Sequence, residues 1–244
     1  MQPTTMIVKS RDAQPATIAA LEERARRESN AMRRNGCLSA AARLRNDSTA
    51  AAACDLLDRR FGDATDWAVL HDLRLQVGRH VLHVNHLLIN DYLEFVCIDS
   101  RYRASVLHQH ADGRFEARSE AGARDIASPV HKAARDARML RSAIAERRLL
   151  PRLFGIGPRA SVKALVLIDP GGRLAPARTL PEGTDLVATD AVFALLWKQR
   201  RRRRGNPLER VSPGRLRRVA ERLAADHRQN YSDALLEVNT ASAA

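Results

Sequence analysis

Residues 80–101 read His80-Val-Leu-His-Val-Asn-His-Leu-Leu-Ile-Asn90-Asp-Tyr-Leu-Glu-Phe-Val-Cys-Ile-Asp99-Ser-Arg101, and this stretch decides the fold. Two apolar runs rich in Val, Leu and Ile meet at Asn90-Asp91, a pair that favours a tight turn because both side chains bond to nearby backbone. Immediately upstream, Trp67 to Val77 alternates apolar and polar residues and stops at Gly78, the pattern of a half-buried strand. Downstream, Val106 to His110 and Phe115 to Ser119 flank Ala111-Asp-Gly-Arg114, a typical hairpin loop. The spacing predicts one antiparallel strand meander over residues 67–119.

Helical signals surround this block. Ile18, Leu21 and Ala25 lie at helical spacing and predict a helix over 16–35 that ends near Gly36. A second helix is predicted over 38–60, with Asp47-Ser48-Thr49 as a new cap or a bend and Phe61-Gly62-Asp63 as its close. Ser128-Pro129 opens a helix to about Arg148, serine serving as cap and proline fitting the first turn. Val162 to Asp169 is a further strand ending at Pro170-Gly-Gly172, and Leu186 to Ala188 a short one. Thr189-Asp190 is expected to cap a helix over 191–203, and a last helix follows Ser212-Pro213. The order predicts an α/β fold, a mixed central sheet with helices on its faces. The expected organisation is an N-terminal helical segment 1–37, an α/β domain 38–190, basic C-terminal helices 191–238 and a tail 239–244.

The 244 residues suffice for one substantial core, and 45% hydrophobic residues exclude a disordered chain. Arg or Asp interrupts every apolar run before the roughly 18 residues a membrane span requires. The N-terminus lacks the basic-then-apolar block of a signal peptide, so a cytoplasmic location is expected. Cys37, Cys54 and Cys97 are odd in number and widely spaced, which fits neither a disulfide framework nor a zinc finger. Cys54 and Cys97 read as small core side chains. The net charge of +13 favours polyanionic partners. Coding bias accounts for arginine over lysine, since only Lys9, Lys132, Lys163 and Lys198 are lysines, but not for the excess over Asp and Glu.

Chemistry is concentrated in the two central strands. An Asp on one strand and an acid-x-lysine motif on the next would hold magnesium, with the lysine positioning a water. The order Phe61-Gly-Asp-Ala-Thr-Asp-Trp67, His71-Asp-Leu-Arg-Leu, His86-Leu-Leu-Ile-Asn, Asp99-Ser-Arg101 and Ser128-Pro129 resembles the nuclease-related domain (NERD) family of the PD-(D/E)XK, restriction-endonuclease-like superfamily. The likeness covers about 50–140, and 163–226 looks like the continuation of a longer bacterial subgroup. The resemblance implies a Mg-dependent nuclease fold, yet the positions that would carry catalysis are altered. Ala50 stands at the helical glutamate, and Val84-Asn85-His86 replaces Ile-Asp-His. Asp99-Ser100-Arg101 replaces Glu-x-Lys, and Lys132 falls where glutamine is usual. Asn85 removes one negative charge. Asp99 is one methylene short, a displacement of ~1.5 Å, where ~1 Å can cost about a hundredfold in rate. Arg101 stays protonated and suits gripping a phosphate or pairing with Asp99 better than acting as a base. Asp47, Asp55, Asp58, Asp72 and Asp91 are the candidate replacement acids, Asp47 foremost.

Among the histidines, His83 and His86 should face opposite ways on one strand, with His86 packed beside Asn85 and keeping a structural hydrogen bond. His108 and His110 share a face but lack a third ligand nearby in sequence. Lys198-Gln-Arg-Arg-Arg-Arg-Arg204 is the strongest charge feature, and Lys198, Arg200, Arg201, Arg202, Arg203 and Arg204 are expected to contact a nucleic-acid backbone, DNA first, with Arg215, Arg217 and Arg218 adding to it. Aromatic residues are only 4%, which disfavours a stacking platform. The leading expectation is a catalytically impaired nuclease fold that binds nucleic acid, with no cofactor. The alternatives are an active Mg-dependent nuclease using Asp99 as the metal ligand with a relocated acid, and a protein-partner-binding module.

Overall fold

A computed structural model describes residues 6–12, 14–45, 48–100, 106–110, 112–119, 122–150, 160–168, 173–174, 180–202 and 210–228. In chain order these form β1 (Ile7–Lys9), α1 (Gln14–Arg27), α2 (Ala31–Arg45), α3 (Ser48–Phe61), β2 (Trp67–Val77), β3 (His80–Asn90) and β4 (Glu94–Asp99). Then come β5 (Val106–Gln109), β6 (Phe115–Ser119), β7 (Gly122–Ile126), α4 (Pro129–Glu146), β8 (Ser161–Ile168), β9 (Arg173–Leu174) and β10 (Thr184–Ala188). A 3-10 turn (Thr189–Ala191), α5 (Val192–Arg202) and α6 (Pro213–Ala225) complete the described chain. Asp47, Arg101, Arg203, Arg204 and the tail 239–244, all singled out above, lie outside the described residues.

The main sheet has six strands in the order β1-β2-β3-β4-β8-β10. β2, β3 and β4 run antiparallel, whereas β1, β8 and β10 join parallel to their neighbours. The mixed sheet with helices on its faces is the fold expected from the sequence. The single meander is not. It stops at β4, and β5 and β6 belong to a second, four-stranded sheet, β7-β6-β5-β9. The place beside β4 goes to β8, whose Val162, Ala164, Leu165, Val166, Leu167 and Ile168 are all buried. A strand apolar on both sides needs both faces covered, and only the middle of the main sheet offers that.

Two apolar clusters cover the two faces. Leu140 and Ile144 of α4 and Leu216, Val219 and Leu223 of α6 share one cluster with Leu87, Ile89, Phe95 and Cys97, α4 lying over β8, β3 and β4 and α6 over β1 and β2. Ala53, Leu57 and Phe61 of α3 and Val192 and Leu196 of α5 pack on Trp67, Val69, Leu88, Val96 and Ile98 of the opposite face. Ser128 caps α4 as its sequence predicts, its hydroxyl accepting from the His131 N–H at 3.3 Å. Gly62 closes α3 as expected, and no other residue would fit: an added Cβ would stand 2.6 Å from the Asp58 carbonyl oxygen.

The N-terminal helix boundaries differ from the prediction. Gly36 lies inside α2, and the break falls earlier, where the Asn30 side-chain oxygen accepts from the N–H groups of Met32 (3.0 Å) and Arg33 (3.2 Å). A capping amide outweighs the weak helix-ending tendency of one internal glycine. The 38–60 stretch divides between α2 and α3, and α3 starts at Ser48, within the Asp47-Ser48-Thr49 stretch expected as a new cap or a bend. Thr189-Asp190 does not cap the following helix; it lies in the 3-10 turn, and the Thr189 hydroxyl donates instead to the Ile168 carbonyl on β8.

Candidate functional site

The β3–β4 register pairs His86 with Ile98, so the next residues along, Asn85 and Asp99, fall side by side at the end of the pair. Alternation with Leu87 and Cys97 puts both on the face covered by α4. From α4, Lys132 reaches down to place its ammonium 2.9 Å from Asp99 Oδ2 and 2.6 Å from Asp136 Oδ2. Asp136 follows Lys132 by one helical turn, the spacing at which side chains meet. Asp99 and Asp136 are both buried, while Lys132 is about a third exposed, at 31% of its side chain. Asn85 is buried, and neither its amide nitrogen nor its oxygen has a hydrogen-bond partner among the described residues. Asn85, Asp99 and Lys132 therefore gather on one face. Ala50 does not join them: it sits fully buried on α3, the helix of the opposite face.

Of the acids offered as replacements, the four that are described are engaged elsewhere or exposed, and Asp47 lies outside the described residues. Asp58 bonds to His71, and Asp91 binds Arg200 and Arg210. Asp72 lies beside Arg11 and His83. Burial would raise the pKa of Asp72, but the His83 hydrogen bond and the Arg11 charge outweigh it and hold the carboxyl at about 2. Asp55 is exposed on α3. Asp136 is the acid that the sequence reading passed over, although its i,i+4 relation to Lys132 was there to be seen.

On the reverse face, directly behind this cluster, four side chains bond in series. Asp58 Oδ1 lies 2.8 Å from His71 Nε2, and His71 Nδ1 lies 2.7 Å from His86 Nδ1. His86 Nε2 lies 2.7 Å from Ser100 Oγ. A carboxylate only accepts, so His71 donates from Nε2 and must accept at Nδ1. His86 then donates from Nδ1 and accepts the Ser100 hydroxyl proton at Nε2. Two neutral rings complete every bond of the chain, whereas two charged rings cannot, because both Nδ1 atoms would then donate. Burial, then the neighbouring His71, pushes the His86 pKa down to about 3, and burial lowers that of His71 despite the Asp58 carboxylate. His86 thus makes the expected structural bonds, but to His71 and Ser100, facing away from Asn85.

A family model for the nuclease-related domain, NERD, matches residues 46–168, half of the chain. The chain belongs to the NERD family. No curated protein and no solved structure matches it. The NERD segment runs from the start of α3 to the end of β8, so it contains Ala50, Asn85, Asp99 and Lys132 together with the Asp58–Ser100 chain.

The basic α5 lies beyond the NERD segment. Lys198 and Arg201 are exposed on it, whereas Arg200 is buried and held by Asp66 at 2.7 Å and Asp91 at 3.1 Å. Arg200 therefore ties α5 to the turn after β3. Helical spacing places Phe193 and Trp197 together, ring centroids 5.9 Å apart and nearly parallel, in a shallow groove lined also by Ala194, Lys198 and Arg201. Arg60 of α3 lies over the Phe193 ring at 5.5 Å. Few aromatics in total still yield one aromatic surface ringed by cations. In the second sheet, His110, Glu116 and Asp125 approach within 4.8 Å of one another, so neighbouring strands bring acids to His110 that its own strand lacks. Both acids also pair with arginine, Glu116 with Arg118 and Asp125 with Arg114.

Proposed function

We propose that this NERD protein binds nucleic acid through its basic surface and that its nuclease-fold site does not hydrolyse the bound chain. The observation that carries the catalytic half is the Lys132 ammonium between Asp99 and Asp136. Magnesium needs several oxygen ligands carrying negative charge. Here one internal cation already bridges the two carboxylates, and the third position, Asn85, offers a neutral amide. This donor set does not fit a dication. For binding, the support is the +13 net charge and the exposed Lys198 and Arg201, whose contacts would be to phosphates and without base readout. DNA is the first candidate. The free, buried cysteines support a reducing, cytoplasmic setting, and no described helix is long and apolar enough to cross a membrane.

Incubation of the purified protein with supercoiled plasmid and magnesium or manganese tests the catalytic half: the expected outcome is intact plasmid. For binding, log affinity for duplex DNA should fall linearly with log salt, and Lys198→Ala with Arg201→Ala should each reduce the slope by about 0.9. An affinity indifferent to salt would end the phosphate reading.

One observation favours a second reading, an active divergent nuclease. Asp136 supplies a relocated acid beside Asp99, and Lys132, a third exposed, has room to swing aside. Cleavage that disappears in both Asp99→Ala and Asp136→Ala would establish it.

A further inference from the structure

Cys54 and Asp58 lie one turn apart on α3, and His71 faces them from β2. The Cys54 sulfur is 3.7 Å from Asp58 Oδ2, His71 Nε2 is 2.8 Å from Asp58 Oδ1, and all three ligand atoms fall within 4.8 Å of one another. We propose that Cys54, Asp58 and His71 form a binding site for a thiophilic divalent cation of the zinc class, which would pin α3 to the main sheet.

The donor set itself selects the ion. A thiolate, an imidazole and one carboxylate suit zinc, while magnesium prefers oxygen alone. Tetrahedral bonds of zinc length set ligand atoms ~3.5 Å apart, a spacing bracketed by the Cys54–Asp58 and His71–Asp58 separations of 3.7 and 2.8 Å. Cys54 and His71 are buried, but the Asp58 side chain is 31% exposed. The site opens to solvent on that side, which gives the ion an entry and leaves the fourth position to water.

The residues behind His71 are arranged as a ligand histidine requires. A metal-bound imidazole donates its other N–H to an acceptor that fixes the ring. His71 Nδ1 faces His86 Nδ1, and His86 Nε2 faces Ser100 Oγ, each at 2.7 Å. Without an ion the protons run from Ser100 towards Asp58. With an ion on His71 Nε2 the series reverses: His71 donates from Nδ1, and His86 donates from Nε2 to the serine oxygen. Each imidazole keeps one proton throughout. Only the Cys54 thiol proton leaves, to solvent, so one proton is released per ion bound.

The site belongs to α3 and β2 and does not depend on whether the Asp99–Lys132 cluster is inert. The test uses the full chain with cobalt(II) as probe. One equivalent should bind and produce a thiolate-to-cobalt charge-transfer band, which zinc removes and a large excess of magnesium does not. Cys54→Ala should abolish the band and weaken zinc binding about a hundredfold, and Ser100→Ala should weaken it about tenfold through the hydrogen-bonded shell. Asp58→Asn, at the exposed edge, provides a second loss variant, and His110→Asn, in the other acid–histidine cluster, should leave binding unchanged. The proposal is overturned if no charge-transfer band forms, if Cys54→Ala binds zinc as tightly as the parent, or if His110→Asn removes the binding.

Discussion

Two polar clusters stand back to back at the end of β3 and β4, separated by the thickness of one sheet, and they solve burial in opposite ways. On the α4 face, charge meets charge: Asp99 and Asp136 share Lys132, Arg135 also pairs with Asp136, and beside them Asn85 has no partner among the described residues. On the α3 face, Asp58, His71, His86 and Ser100 bond in sequence, with two neutral rings at the centre. An ion triad depends on every member, whereas a neutral chain depends on pH. Asn85 and His86 are neighbours on β3 and face opposite ways, and the two faces reflect that split. The α4 face carries the amide of Asn85, and the α3 face makes every bond of its chain.

The largest effect should come from breaking the triad. Lys132→Met removes the cation shared by two buried carboxylates, and loss of one partner of a buried pair costs about 3 kcal/mol. Urea denaturation would measure it. Asp99→Asn in the same background should then restore part of the loss, because one of the two repelling acids is gone. Without that recovery, the view of Lys132 as an internal counter-ion fails.

Next in size is the pH response of the neutral chain. His86 keeps its folded pKa at about 3, against an ordinary 6.5. Between those values the unfolded chain binds protons that the folded chain refuses, so stability falls as pH drops through this window. By pH 5 the loss is on the order of 2 kcal/mol. Asp72, held at about 2 against an ordinary 3.8, acts in the same direction but only below about pH 3.8. A urea midpoint that is flat from pH 6.5 to 5 would mean that the rings are not both neutral. Ser100→Ala is a comparable but narrower perturbation: it strips the donor from His86 Nε2 and should cost about 1–2 kcal/mol.

The two faces were not equally legible in the sequence. Strands β2 and β3 match their predicted ranges because alternation and turn residues are local signals. Asp99 and Lys132 could be singled out from motif order, and the register of β4 with α4 sets them in contact. The histidine chain was not legible. Asp58, His71, His86 and Ser100 come from a helix, two strands and a strand end, and only the pairing His71↔His86 brings the rings together. Nothing local marks such a pairing. The second sheet was missed for a related reason: the hairpin of β5 and β6 is a local signal, but its separation from β4 is decided by competition with β8, which arrives some sixty residues later in the chain.

The smallest predicted effect bears most directly on what the α4 face has become. Asn85 is 2% exposed, and both its side-chain polar atoms are unpaired among the described residues. An unsatisfied buried amide costs about 1–3 kcal/mol, and nothing among the described residues offsets that cost. Valine has no polar atoms to desolvate and suits a strand. Asn85→Val should therefore raise stability by about 1 kcal/mol and leave DNA affinity unchanged. Asn85→Asp should do the reverse, because a third carboxylate would join Asp99 and Asp136, which already share Lys132. If instead valine lowers affinity for nucleic acid while aspartate is tolerated, the amide is held unpaired for a ligand. The two faces would then both be binding sites, one for an ion and one for the phosphate chain.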